Sequence, residues 1–420
     1  MKEALIRGMR STFQTTSNRL DMKHAIMVVG FNARPVVCLA KQLGFKVTAI
    51  DYWGDLDIEG CADFLYTVLQ QDIDKEYSDF DKPCSELLVG LAEKAVEQHG
   101  KPDFILVGSG LDDRPELWSR LNRIAPVLGN TPEKLRVIRD PLRLSEIARE
   151  LEIKFPETEK AASKSEAVKI AEKIGFPVVI KPTRGSGGFR IKFGRTPKEV
   201  SENFERVAAA SGEAYIQEYI EGVDASVSVL GDGRNCVVVS VNEQLIGKRE
   251  LGAQTPFGYC GNIVPLEADV RLIDGIKNIF SELGRKLGLV GSNGFDFIVT
   301  KKGEIYLMEV NPRFQATIEC VKYVTGLNLV KAHIDACEGR LPERIPPPRG
   351  YAVKMIVFAK ERGVVPDLRG FDCVFDISHP GVEVEKGSPI CTVQTFSEDR
   401  AEAIRLATEK VLEIHRLMHG

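Results

Sequence analysis

The chain has 420 residues, 43% hydrophobic and 28% charged, with 56 Lys and Arg against 60 Asp and Glu for a net charge of −4. That balance suits a folded chain of two to four domains and lacks both the basic excess of a nucleic-acid surface and an apolar run long enough to span a membrane. Nine cysteines lie scattered without a CxxC pair, so neither a disulfide scaffold nor a structural zinc site is expected, and a reducing, cytoplasmic setting is.

Residues 1–22 are polar and have no signal-peptide core, so they read as a flexible extension, with Met22 as an alternative start. The buried-strand run AIMVVG at 25–30, the turn Gly30-Phe31-Asn32-Ala33-Arg34-Pro35, a helix ending near Gly44 and the strand KVTAID to Asp51 form a βαβ unit. The turn lacks GxGxxG, so a structural Rossmann-like role is favoured over phosphate binding there. A later strand, Phe104 to Val107, ends in Gly108-Ser109-Gly110, a strand end suited to facing a cleft. Residues 23–128 are therefore read as one Rossmann-like α/β domain.

From about 129 the pattern changes. Helices at 141–150 and 164–174 precede the strand FPVVIKP, and short strands joined by Gly-bearing turns follow near 215–220, 226–230, 236–242, 294–300 and 304–310. This predicts α+β organisation with antiparallel sheets, in two lobes of about 129–215 and 216–345. The segment RIPPPRG at 344–350 reads as a stiff linker to a small α+β domain at 346–420 with a final helix.

Three stretches carry chemistry. In GFDFIVTKKGEIYLMEVNPRF (294–314), a two-residue turn at Lys302-Gly303 would set Asp296 opposite Glu309, and alternation puts Asn311 and Arg313 on the Glu309 face. Acidic side chains between Phe295 and Phe297, and between Met308 and Val310, need a partner, and oxygen donors of this kind suit Mg²⁺ (or Mn²⁺). In GFPVVIKPTRGSGGFRIKF, Lys181 ends an apolar strand and Gly185-Ser186-Gly187-Gly188 offers backbone amides to phosphates. In YIQEYIEGVDASVSVL, the backbone at Gln217-Glu218-Tyr219-Ile220 could read an adenine edge and Asp224 could take ribose hydroxyls.

In this order, these motifs resemble the ATP-grasp superfamily, and within it the biotin carboxylase and carbamoyl-phosphate synthase branch. The resemblance covers about residues 23–420 and is most specific at 175–230 and 290–314. It implies a Rossmann-like preATP-grasp domain, a two-lobed grasp and a small C-terminal domain, binding ATP and Mg²⁺. It implies that Lys181 meets the ATP phosphates under loop 185–188, that Gln217, Glu218, Tyr219 and Ile220 form the adenine hinge, and that Asp224 takes the ribose. Asp296, Glu309 and Asn311 then hold the metal and Arg313 steadies the transferred phosphoryl group. Two departures stand out: an acidic residue is common where Gln217 stands, and the usual first-helix lysine is absent, leaving Arg139 or Arg143 to substitute.

The implied activity is an ADP-forming carboxylate–amine ligase acting through an acyl-phosphate on small-molecule substrates, with a homodimer common among relatives. A bicarbonate-activating enzyme is the rival, invited by Ala352-Val353-Lys354-Met355, one residue from the motif of a biotin carrier. A non-catalytic nucleotide binder is disfavoured by the intact Asp296, Glu309 and Asn311. The substrate is expected near the 250–265 loop, Gln315, Thr317, Asn32 and Arg34, the last as a receptor for a substrate carboxylate. The six histidines show no metal-ligand spacing.

Overall fold

The computed structural model describes residues 24–69, 71, 84–185, 187–188 and 190–419; the extension read at 1–22 and Ser186 lie outside them. Ile26, Met27, Val28 and Val29 are essentially inaccessible to solvent, as a strand covered on both faces requires. Strand Ala25–Gly30 pairs in parallel with Lys46–Asp51 on one side and Phe104–Val107 on the other, and Phe64–Thr67 extends the sheet beyond Lys46–Asp51. The turn into helix Arg34–Lys41 has no amide to spare for a phosphate at Ala33: its N–H donates to Asp51 Oδ2 at 2.7 Å, and Asp51 Oδ1 takes the Gly54 N–H.

The second unit is an antiparallel sheet in the order Thr158–Ala161, Ala214–Glu218, Val178–Pro182, Lys192–Gly194. Helices Lys164–Ile174 and Pro197–Ala208 begin at S-x-x-E and T-x-x-E, where Ser163 and Thr196 accept the Glu166 and Glu199 amides. Both helices pack on this sheet around Ile170, Val178, Ile180, Phe204 and Ile216, a core of its own.

The third unit is an eight-stranded antiparallel sheet. Its order is Ile305–Asn311, Val290–Val299, Val223–Asp232, Cys236–Ile246, Tyr259–Val264, Tyr351–Phe358, Pro389–Ser397, Val374–Phe375. On one face Phe295 and Phe297 pack on Phe280 of helix Val270–Lys286, with ring centroids 5.2 and 4.9 Å away. Burying each phenyl ring contributes about 1.5–3 kcal/mol. A one-residue slip would expose both, so this packing commits Asp296 to the opposite face. The linker at 344–350 leads straight back into this sheet, since Tyr351–Phe358 pairs with Tyr259–Val264.

One expectation is corrected. Cys38 and Cys61 form a disulfide with Cα atoms 4.9 Å apart, joining helix Arg34–Lys41 to the segment after helix Leu56–Glu59. The cysteines lie 23 residues apart, and only the close approach of those two helices brings them together. Cys236, Cys260, Cys320 and Cys391 are buried and free. Among the described residues no helix is long and apolar enough to cross a membrane.

Candidate functional site

The 290–311 hairpin reaches the expected register by an unexpected route. Val299 faces Ile305, so the turn contains Lys301, Lys302 and Gly303 rather than two residues, with Gly303 at φ +77°. A bulge at Met308 absorbs the extra residue, and Asp296 still faces Glu309, with Gly294 opposite Asn311. Asp296 accepts from Gln244 Nε2 at 3.1 Å and Asn311 Nδ2 at 2.9 Å. Burial, then the adjacent Glu309 charge, push Asp296 well above the ordinary carboxylate range. Desolvation would raise Glu309 too, but Arg139 and Lys181 more than offset it and hold this carboxyl below its usual value.

Two carboxylates pressed together in this way are relieved by a shared cation. Among the described residues no group of three His, Cys, Asp or Glu side chains is arranged to hold a metal. An ion here would rest on Asp296, Glu309 and the Asn311 amide, with ligand oxygens completing the shell. Asn311 directs Nδ2 to Asp296 and Oδ1 to Arg313; to serve as a ligand, its amide turns over, a choice set by the hydrogen-bond network. With that turn, the donor set fits a hard divalent ion.

Three cations converge on the same place. Lys181, opposite Tyr215 in strand Val178–Pro182, has its pKa lowered by desolvation, with Glu309 and Asp296 acting in the other direction. Arg139, just after helix Pro132–Ile138, donates to Val310 O at 2.9 Å and lies 3.7 Å from Glu309 Oε2, while its Nε is buried without a partner. Arg143 points to solvent and pairs with Glu146 at 2.9 Å. Of the two arginines proposed for the missing lysine, only Arg139 reaches the cleft. Arg313 bonds Asp112 through Nε at 3.2 Å, the Phe314 carbonyl through Nη1 at 2.9 Å and Asn311 Oδ1 through Nη2 at 3.4 Å.

The glycine segment lies against both neighbours. Gly185 N–H donates to Asp113 Oδ2 at 2.9 Å, and the Gly187 carbonyl accepts from Tyr259 N–H at 3.2 Å. Gly188 sits at φ +77°, and a Cβ there would lie 1.8 Å from the Phe257 carbonyl oxygen, so only glycine permits this approach. Gln217 is 1% exposed; its Nε2 donates to Thr158 Oγ1 at 2.8 Å and its Oε1 is a buried acceptor without a partner. Glu218 turns its carboxylate to the Glu157 N–H. The Tyr219 ring stands edge-on to Phe193 at 5.1 Å, and Phe193 meets Phe257 at 4.5 Å, while Ile220 is buried. Asp224 is raised to about 6 by burial, with Lys248 opposing. It pairs with Ile298 where Ser226 pairs with Asp296, so Asp224 shares the Asp296 face about 7 Å along the strand.

One substrate expectation fails. Arg34 is 2% exposed and its guanidinium is consumed: Glu319 takes Nη1 and Nη2 at 2.9 and 2.6 Å, and Asp376 takes Nε at 2.5 Å. It has no edge left for a substrate carboxylate. Gln315 donates to the Asn311 and Arg313 carbonyls, and Thr317 Oγ1 pairs with Ser228 Oγ, so both brace the segment after the hairpin. Lys354 is 3% exposed, in a strand paired on both sides, 3.9 Å from Asp376; it cannot present itself for biotin attachment. Sequence reasoning missed Asp112, Asp113 and Gln244. The first two follow a strand end already read as facing a cleft, and paired acids there were a usable signal.

The sequence profile of the ATP-grasp domain matches residues 138–317. An uncharacterized protein of Methanocaldococcus jannaschii is 28% identical over 372 residues, covering 87% of each chain. The C-terminal section of the carbamoyl phosphate synthase large chain from the same organism is 27% identical over 263 residues, 61% of this chain and 41% of that one. The chain thus spans less than half of that relative. The biotin carboxylase domain of Hydrogenobacter thermophilus 2-oxoglutarate carboxylase, a dimer in complex with MgADP, ADP and bicarbonate, superposes with a TM-score of 0.73 at 19% identity, covering 93% of this chain and 89% of that one. The likeness at that identity is one of fold.

Proposed function

We propose, from the premise that residues 138–317 are an ATP-grasp domain, that the chain is an ATP-dependent ligase that activates a small carboxylate as an acyl-phosphate, releases ADP and passes the acyl group to an amine. The observation that carries this reading is the Asp296–Glu309 pair with Lys181, Arg139 and Arg313 around it. Such a site combines acids suited to a cation with cations suited to phosphates.

Asp296, Glu309 and Asn311 would hold Mg²⁺ or Mn²⁺, which when bound supplies neutralisation of phosphate charge. The unpaired Gln217 Oε1 suits an adenine amino group, Tyr219, Ile220 and Phe193 suit the ring, and Asp224 suits ribose hydroxyls. Lys181 and Arg139 bind phosphate oxygens. Arg313 offers the second N–H of each Nη to the group in transfer, its Nε being committed to Asp112 and one N–H of each Nη to Phe314 O and Asn311 Oδ1. The substrate carboxylate oxygen attacks the γ-phosphorus, the bond to ADP breaks, and the amine then displaces phosphate from the acyl carbon. These are small-molecule partners, and likeness to the dimeric carboxylase domain supports a homodimer.

The test is incubation with MgATP, hydroxylamine and a panel of carboxylates including bicarbonate, reading ADP, AMP and hydroxamate. ADP with a hydroxamate for one acid names the substrate. ADP with bicarbonate alone favours carboxyphosphate chemistry, and AMP rejects the mechanism. Lys181→Met is expected to lower kcat/KM for ATP by roughly 10²–10³-fold, because a desolvated donor to phosphate is lost. Retention of full kcat/KM in that variant would remove Lys181 from the site.

A further inference from the structure

We infer that Asp112 is the positioning residue for Arg313, holding its guanidinium in the orientation that phosphoryl transfer needs. The inference rests on the ligase reading above. Asp112 comes from the segment after strand Phe104–Val107, 201 residues before Arg313, and is 3% exposed. Its carboxylate is held at both ends: Oδ1 accepts the Gly110 N–H at 3.2 Å and Oδ2 accepts Arg313 Nε at 3.2 Å. The other partners of the guanidinium, Phe314 O and Asn311 Oδ1, lie one and two residues from Arg313 and move with the same segment. Asp112 alone among these ties Arg313 to a separate unit of the fold.

The charge arrangement gives the contact a second role. Arg139 is also a charge neighbour of Asp112. Two guanidinium groups sharing one cleft with Lys181 repel each other, and a buried carboxylate beside both reduces that repulsion. Desolvation works against charge on Asp112, yet Arg313 and then Arg139 more than offset it and keep the carboxyl below its ordinary range. Engagement of Nε fixes the plane of the fork, and with one N–H of each Nη on Phe314 O and Asn311 Oδ1, the second N–H of each Nη remains for a phosphoryl group. An arginine that meets the group being transferred acts on rate more than on ground-state affinity, so Asp112 should do the same through it.

The test uses the full chain and the acid identified by hydroxamate formation, comparing wild type, Asp112→Asn, Arg313→Met and the double variant. The readouts are kcat, KM for ATP and the thermal midpoint. Asp112→Asn is expected to lower kcat about 10–100-fold, as small misplacements of catalytic groups do, without raising KM, since a negative charge near the phosphates has been removed. The double variant is expected to be no slower than Arg313→Met alone, because the two residues act as one unit. Multiplying losses in the double variant, a raised KM with unchanged kcat, or a midpoint drop that accounts for the loss would each overturn the inference. An absence of carboxylate-dependent ADP in wild type would instead reject the ligase reading, and this inference with it.

Discussion

Replacing Glu309 with glutamine is expected to cut carboxylate-dependent ADP formation by roughly 10³-fold, the scale on which loss of one electrostatic stabiliser acts. Glu309 faces Asp296 across the hairpin, lies 3.7 Å from Arg139 and is a charge neighbour of Lys181. Glutamine keeps the size and removes the charge. Two effects then lower the rate: the metal set loses one of its two carboxylates, and Arg139 and Lys181 lose a counter-charge that orients them. Relief of Asp296 from the Glu309 charge, which together with burial raises its pKa, works the other way and only partly compensates. The fold should hold, because Phe295, Phe297 and Val310, which seat the hairpin, are untouched. Steady-state ADP release with the activating acid, beside the thermal midpoint, checks this. Wild-type rates in Glu309→Gln would remove the hairpin from the chemistry. Chelation with EDTA should silence wild type in parallel.

The largest loss of stability is expected from Arg34→Met. Arg34 bridges Glu319 and Asp376, with Asp57 3.3 Å from its Nε. Asp57 in turn accepts the Asp376 and Ile377 amides, and Gln394 donates to Glu319 at 2.7 Å. One guanidinium thus joins the first parallel sheet unit, the helix after the hairpin and the C-terminal strands. Its removal leaves buried carboxylates facing each other, and such a break costs about 3–5 kcal/mol. The deficit should shrink with acid. In wild type, despite burial, Arg34 holds the Glu319 and Asp376 pKa values below their ordinary range. Their contribution to stability is therefore present above the unfolded carboxylate pKa and is lost as pH falls through the folded values. In Arg34→Met these carboxyls take up protons at higher pH and shed their repulsion, so the gap from wild type should be wider at pH 7.5 than at pH 5. Urea midpoints at the two pH values measure it. Equal midpoints for variant and wild type at pH 7.5 would show that the cluster is not what joins these units.

The sequence by itself determined the features that obey short periods. The apolar run of Ala25–Gly30 marked a covered parallel strand. The alternation around Phe295, Asp296 and Phe297 separated a core face from a cleft face, and Asp296 stands opposite Glu309 as that alternation required. It does so although the turn holds three residues rather than the expected two, because the packing of Phe295 and Phe297 on Phe280 sets the register and a bulge at Met308 makes up the difference. Lys181 at a strand end and the glycines beyond it were legible for the same reason, since a lysine after an apolar strand and a run of glycines are local statements. Tertiary structure decided which charges meet. It chose Arg139 over Arg143, drew Asp112 to Arg313 across 201 positions, spent Arg34 on Glu319 and Asp376 across 285 and 342, and closed Cys38 onto Cys61. Strand and helix periodicity arise from backbone geometry repeated every two or 3.6 residues and are written into neighbouring positions. An ion pair depends on where whole elements pack, and a guanidinium reads the same in sequence whether it will face a substrate or a buried carboxylate.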